Sequence, residues 1–109
     1  MFRLLLILCA WGLSHGAWAE PATLRIQGSN TIGAELGPAL VRGMLAAQGL
    51  RSIETVTPRP GEHVVSALDQ QGNALRFEIA AHGSSTGFSS LQAGQADLVA
   101  SSRPITDPE

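Results

Sequence analysis

Apolar and polar residues alternate from Ala22 to Gln27, and the run stops at Gly28. Period-two alternation puts successive side chains on opposite faces of an extended chain, so this stretch predicts a first strand. The period then lengthens. Between Ile32 and Gln48, the residues Leu36, Leu40, Val41, Met44 and Leu45 recur at helical spacing. They predict a helix with one inward apolar face, Met44 serving as core filler. Gly33 and Gly37 weaken its first turns, which places the start of the helix proper near Pro38 and its end at Gly49.

Alternation returns in Arg51 to Thr57, a second strand expected to stop at Pro58-Arg59-Pro60-Gly61. Glu62 to Leu68 and Leu75 to Ala80 then read as an inserted hairpin. Leu75, Phe77 and Ile79 share one face, Arg76 and Glu78 share the other, and Asp69 to Asn73 supply the turn. His63 falls on or near the polar side and reads as a solvated strand residue. Gly87 to Gln95 predicts a short helix with Phe88 and Leu91 inward, and Asp97 to Ala100 a buried strand. The expected fold class is therefore α/β. Residues 103–109 read as a loop approaching another helix, so the lobe is expected to be the first part of something longer.

The first nineteen residues stand apart from this pattern. Arg3, the apolar run Leu4 to Leu13 and the small residues of Ala17-Trp18-Ala19 form a cleavable signal peptide, which leaves residues 20–109 as the domain and predicts an exported, periplasmic protein. The run is too short for a stable membrane span, which takes about 20 apolar residues. Cys9, the only cysteine, lies inside that run. The remaining chain therefore lacks thiol and disulfide chemistry. Removing Arg3 moves the formal charge from −2 to one unit more negative and leaves arginine as the only basic residue apart from histidine. Scattered arginines with no basic stripe argue against a nucleic-acid partner.

What the domain does offer is hydroxyls placed after strands. Ser29-Asn30-Thr31 follows the first strand, Ser84-Ser85-Thr86 precedes the short helix between Gly83 and Gly87, and Ser101-Ser102 adjoins Arg103. The first turn of a helix has unpaired N–H groups and a positive dipole end, so hydroxyls gathered there form an anion site without lysines. In open α/β sheets the loops after the strands converge on one crevice. Ordinary helix capping is the plainer account of each cluster taken singly.

Gly83-Ser84-Ser85-Thr86-Gly87 also fits the G-x-S-x-G pattern of a hydrolase elbow with Ser85 as nucleophile, but no histidine follows it to complete the usual order. No lysine follows the glycines as a phosphate loop requires. His63 and His82 alone do not make a metal site, and no cofactor is expected.

Three blocks taken together resemble the first lobe of the periplasmic phosphate-binding proteins that feed ABC transporters: Gly28 to Ile32, Gly83 to Phe88, and Leu91 to Ile105. The resemblance implies a non-enzymatic, hinge-closing receptor that works with a permease and holds phosphate between two lobes. It implies that Ser29 lies in the binding loop, that Thr31 gives a hydroxyl and a backbone bond, and that Ile32 gives a backbone N–H. Ser84 would give a hydroxyl, and Ser85, Thr86 and Gly87 helix-start N–H groups. Ser102 stands where the family places an aspartate that accepts the proton of hydrogen phosphate. A serine both donates and accepts, so the filter against sulfate is lost. Arg103 either turns into the crevice or pairs with Asp97 or Asp107. The second lobe has no counterpart in these residues. An envelope interaction module fused to a further domain is the alternative binding-class reading.

Overall fold

The computed structural model describes residues 21–108; the signal segment expected at 1–19 lies outside them. The elements are β1 (Ala22–Gly28), a π-helical turn (Ile32–Leu36), α1 (Gly37–Ala47), β2 (Arg51–Arg59), β3 (Glu62–Leu68), β4 (Ala74–Ala81), α2 (Ser84–Gln92) and β5 (Leu98–Ala100). They form a compact α/β domain around one mixed sheet in the order β2-β3-β4-β1-β5. β1 runs parallel to both β4 and β5, and β2-β3-β4 is an antiparallel meander. The β3–β4 hairpin expected from the sequence is thus the middle of the sheet, with β2 continuing it, and not an insertion beside it.

Alternation decides what each face carries. Leu24 and Ile26 of β1 stand in register with Phe77 and Ile79 of β4. With Val65 and Ala67 of β3, the side chains of Ile26, Phe77 and Ile79 meet Val41 and Leu45 of α1, whereas Leu24 stays exposed; Leu45, Val65 and Ile79 are the largest fully buried apolar side chains. Burial of such side chains stabilises by about 1.5–3 kcal/mol each. Arg25, Gln27 and Val99 point to the opposite face, where α2 packs over β1 and β5. His63 pairs in register with Ile79, so it shares the face of Val65, and its Nδ1 lies 2.9 Å from the Thr57 hydroxyl. That corrects its expected place on the polar face.

Three boundaries differ from the sequence expectation for local reasons. The helical run starts before Pro38, because the backbone widens into a π turn in which Gly37 N–H donates to the Ile32 carbonyl. A wider turn accommodates a proline that offers no N–H and crowds the carbonyl four residues back. Gly33 lies against β4, where an added Cβ would come within 2.8 Å of the Ala81 Cβ. β2 runs on through Pro58 to Arg59, which an edge strand tolerates, and its pairing shifts register twice. α2 begins at Ser84, so the three hydroxyls lie in its first turn and not before it.

The apolar stripe of α1 is also only half used. Val41 and Leu45 are buried, whereas Leu36, Leu40 and the expected core filler Met44 are exposed. Leu91 of α2 and Leu98 of β5, both expected inside, are exposed as well. The reason is lateral: α1 lies over β2, β3 and β4, and β5 is an edge strand. Among the described residues no helix is long and apolar enough to cross a membrane.

Candidate functional site

β1, β4 and β5 are parallel, so their carboxyl ends lie along one edge of the sheet. After β1 the chain enters the helix on one face; after β4 it enters α2 on the other. Adjacent strands that send their helices to opposite faces leave a crevice at their carboxyl ends. The loops there are joined directly. Ser29 N–H donates to the Ala100 carbonyl at 2.7 Å, Gly83 N–H donates to the Gly28 carbonyl at 2.8 Å, and Ser102 N–H donates to Ser84 Oγ at 3.3 Å. All three hydroxyl clusters named from the sequence, Ser29 to Thr31, Ser84 to Thr86 and Ser101-Ser102, therefore lie on loops joined at this edge.

Two glycines make this closeness possible. At Gly28 the backbone has φ +149° and an added Cβ would overlap the Ala100 carbonyl oxygen. A Cβ on Gly87 would stand 2.7 Å from the Gln27 carbonyl oxygen, 2.8 Å from Gly28 Cα and 2.9 Å from Val99 Cγ1. Gly87 therefore seats α2 on β1 and β5. Its own N–H closes the first helical turn on the Gly83 carbonyl at 3.1 Å, which leaves it no free donor for an anion.

The two helix starts differ chemically. Ser29 is only 2% exposed, and its Oγ accepts from Thr31 N–H at 3.1 Å and from Ile32 N–H at 3.4 Å. Ser29 is thus a buried N-cap, and the N–H groups of Thr31 and Ile32 already serve the cap. The side chain of Thr31 is exposed. At α2 the N-cap is Gly83, which has no side chain to give. The N–H groups of Ser84, Ser85 and Thr86 precede the first intrahelical bond and, among the described residues, have no side-chain capping acceptor. Thr86 Oγ turns back to the His82 carbonyl at 3.3 Å.

Arg103 settles the alternatives left by the sequence with respect to Asp97. Its Nη2 donates to Ser85 Oγ at 2.9 Å, its Nη1 donates to the Pro104 carbonyl at 2.9 Å, and its guanidinium carbon lies 5.1 Å from the Phe88 ring centroid. The cation therefore sits at the first turn of α2. Asp97 belongs to Arg25 instead: Arg25 N–H meets Asp97 Oδ2 at 2.8 Å, and Asp97 N–H returns to the Arg25 carbonyl at 2.8 Å. The Arg25 guanidinium also bonds both carboxylate oxygens and the Gly94 carbonyl. This clamp fixes the turn between α2 and β5. Arg25 holds the Asp97 carboxyl below its ordinary range, chiefly through the side-chain hydrogen bond.

Ser85 Oγ, the nucleophile of a hydrolase reading, accepts from a guanidinium, which cannot take up a proton at neutral pH. His82 turns to Glu62, with Nε2 3.1 Å from Oε1. Among the described residues no group of three or more potential metal ligands occurs. Residues 29–31, 82–86 and 101–103 hold eight hydroxyl or amide side chains, one histidine and one arginine, without a carboxylate. Reasoning from the sequence missed the Arg25–Asp97 clamp and the packing role of Gly87, which depend on contacts between elements. In comparisons with protein-family models, curated proteins and solved structures, the chain matches none.

Proposed function

We propose that the domain is a first lobe of periplasmic phosphate-binding type and that it binds a tetrahedral oxyanion, phosphate foremost, on the carboxyl-edge loops of β1, β4 and β5. One observation carries this reading: three hydroxyl-bearing loops are hydrogen-bonded into a single edge, beside an uncapped helix start and the Arg103 guanidinium. Donors from Ser84, Ser85, Thr86 and the Thr31 hydroxyl supply short-range dipoles, and Arg103 supplies the charge. Ser102 contributes a hydroxyl where an acidic acceptor would require a protonated ligand. The site accordingly takes sulfate about as well as phosphate. The reading extends to a periplasmic solute receptor serving an ABC-type permease, closed over its anion by a second lobe.

Isothermal titration of the purified protein with phosphate and with sulfate tests this. Weak, saturable binding of both anions is expected, with loss of the Arg103 charge-assisted bond in Arg103→Ala weakening it by about 1.5–3 kcal/mol, or roughly tenfold to a hundredfold. Ser84→Ala and Thr31→Ala each weaken it less. A folded protein that takes up neither anion refutes the proposal.

A further inference from the structure

We infer, resting on the oxyanion reading of the carboxyl edge, that His82 ties anion binding there to pH, its protonated ring holding the anion more tightly. His82 follows Ala81, the last residue of β4, and immediately precedes Gly83, the N-cap of α2. The chain is pinned on both sides of it. Ala81 N–H donates to the Gly61 carbonyl at 2.7 Å, Gly83 N–H donates to the Gly28 carbonyl at 2.8 Å, and the His82 carbonyl accepts from Thr86 Oγ at 3.3 Å. Consecutive Cα atoms lie about 3.8 Å apart, so the backbone of His82 stands within about 8 Å of that of Ser84, where the helix-start donors begin.

The ring rests against the turn between β2 and β3. Its Nε2 lies 3.1 Å from Glu62 Oε1, and a Cβ added to Gly61 would stand 3.3 Å from its Cε1. The other oxygen of Glu62 meets Arg59 Nε at 3.5 Å, but the Arg59 side chain is 75% exposed and water screens that pair. Glu62 thus brings a carboxylate to the edge of the crevice with His82 as its closer partner. On the α2 side the charge is Arg103, bonded to Ser85 Oγ.

A carboxylate only accepts hydrogen bonds, so Nε2 carries a hydrogen in either state and the second proton enters at Nδ1. With His82 neutral, the His82–Glu62 pair carries one negative charge beside the anion's donors. With His82 protonated, the pair is neutral overall. Histidine is the side chain that changes charge between about pH 5 and 8, whereas carboxylates and arginines keep theirs over that range. Acid therefore removes a repulsion from the crevice, and by linkage a bound anion draws a proton onto His82. A unit charge about 10 Å from a dianion, in surroundings close to water, alters its binding about three- to tenfold at low salt.

Isothermal titration of the purified protein with sulfate, at about pH 5.5 and about pH 8, tests this, because sulfate keeps its full charge across that range and phosphate does not. Sulfate should bind about three- to tenfold more tightly at the lower pH, and the heat should vary with the ionisation enthalpy of the buffer as a proton is taken up. His82→Gln should lose both effects and hold sulfate as the parent does at the higher pH, with the circular dichroism spectrum unchanged. Glu62→Gln, which removes the repelling charge, should bind more tightly than the parent at the higher pH. His63→Gln is the control: that ring bonds Thr57, and its loss should keep the full pH slope. If His82→Gln fails to fold, the imidazole resonance of His82 gives the second measurement, and sulfate should move its titration to higher pH. Equal sulfate affinity at both pH values, a slope that survives His82→Gln, or a resonance whose titration sulfate leaves in place overturns the inference and leaves the oxyanion site standing. A folded protein that takes up no sulfate at either pH overturns both.

Discussion

Replacing Gly87 by alanine sets two effects of known size against each other. Alanine in a helix interior is favoured over glycine by about 0.8–1.0 kcal/mol. At Gly87, however, the new methyl would stand 2.7–2.9 Å from the Gln27 carbonyl oxygen, Gly28 Cα and Val99 Cγ1. Two of these are backbone atoms of β1, held in the sheet between β4 and β5, and cannot turn aside as a flexible side chain does. Overpacking of this kind costs typically 1–3 kcal/mol, so the clash outweighs the propensity and the expected net change is a loss of about 1–2 kcal/mol. Gly43 is the control. An added Cβ there meets nothing within 4 Å, and Gly43→Ala should stabilise the protein by about 0.5–1 kcal/mol. Urea unfolding of the two variants against the parent gives both numbers. The displacement of α2 also lifts Ser84 to Thr86 from the crevice, so Gly87→Ala should weaken phosphate binding while Gly43→Ala should not. A Gly87→Ala protein as stable as the parent would refute the claim that this glycine sets the approach of α2 to β1.

Ser29→Ala removes the acceptor for two N–H groups at a buried helix start, and urea unfolding should show a loss of about 1–2 kcal/mol. Gly28→Ala, which meets both an unfavourable φ and the Ala100 carbonyl, should leave little folded protein by circular dichroism. Acid should destabilise the domain through Asp97 and Asp69. Arg25 depresses the first, and the Asn73 N–H and its companions in the turn depress the second. A carboxylate with a depressed folded-state pKa contributes stability that is complete above the unfolded value of about 3.9 and is lost as pH falls through the folded value. The urea midpoint should hold steady from neutrality to about pH 5 and fall below pH 4. Asp97→Asn should flatten part of that fall, and an unchanged slope would show that the clamp is electrostatically silent.

The chain's own pattern determined a good deal. Period-two runs located β1, β4 and all but the end of β2, the helical period located α1, and the Asp69 to Asn73 turn closes as its residue types require, with Asp69 Oδ1 accepting from Gln71 and Asn73 N–H. Glycines and hydroxyls after strands marked the loops that meet at the carboxyl edge. These signals are local, because backbone conformation and capping depend on residues a few positions apart.

Tertiary structure decided the rest. Ser29 and Ser84 are alike in sequence, each a serine at the start of a helical run. The fold makes one a buried cap and leaves the other at an open helix start, since the preceding residue at α2 is a glycine in an extended positive-φ conformation. Asp97 pairs with Arg25, across 72 positions, while Arg103 bonds Ser85 in the first turn of α2. Helical spacing placed Leu40 and Met44 on the same stripe as Val41 and Leu45, but only the lateral position of α1 on the sheet determined which half is buried. Periodicity fixes the direction in which a side chain points along its own element. What it meets there depends on strand order and on where a helix lies across the sheet, and both are set by long-range packing.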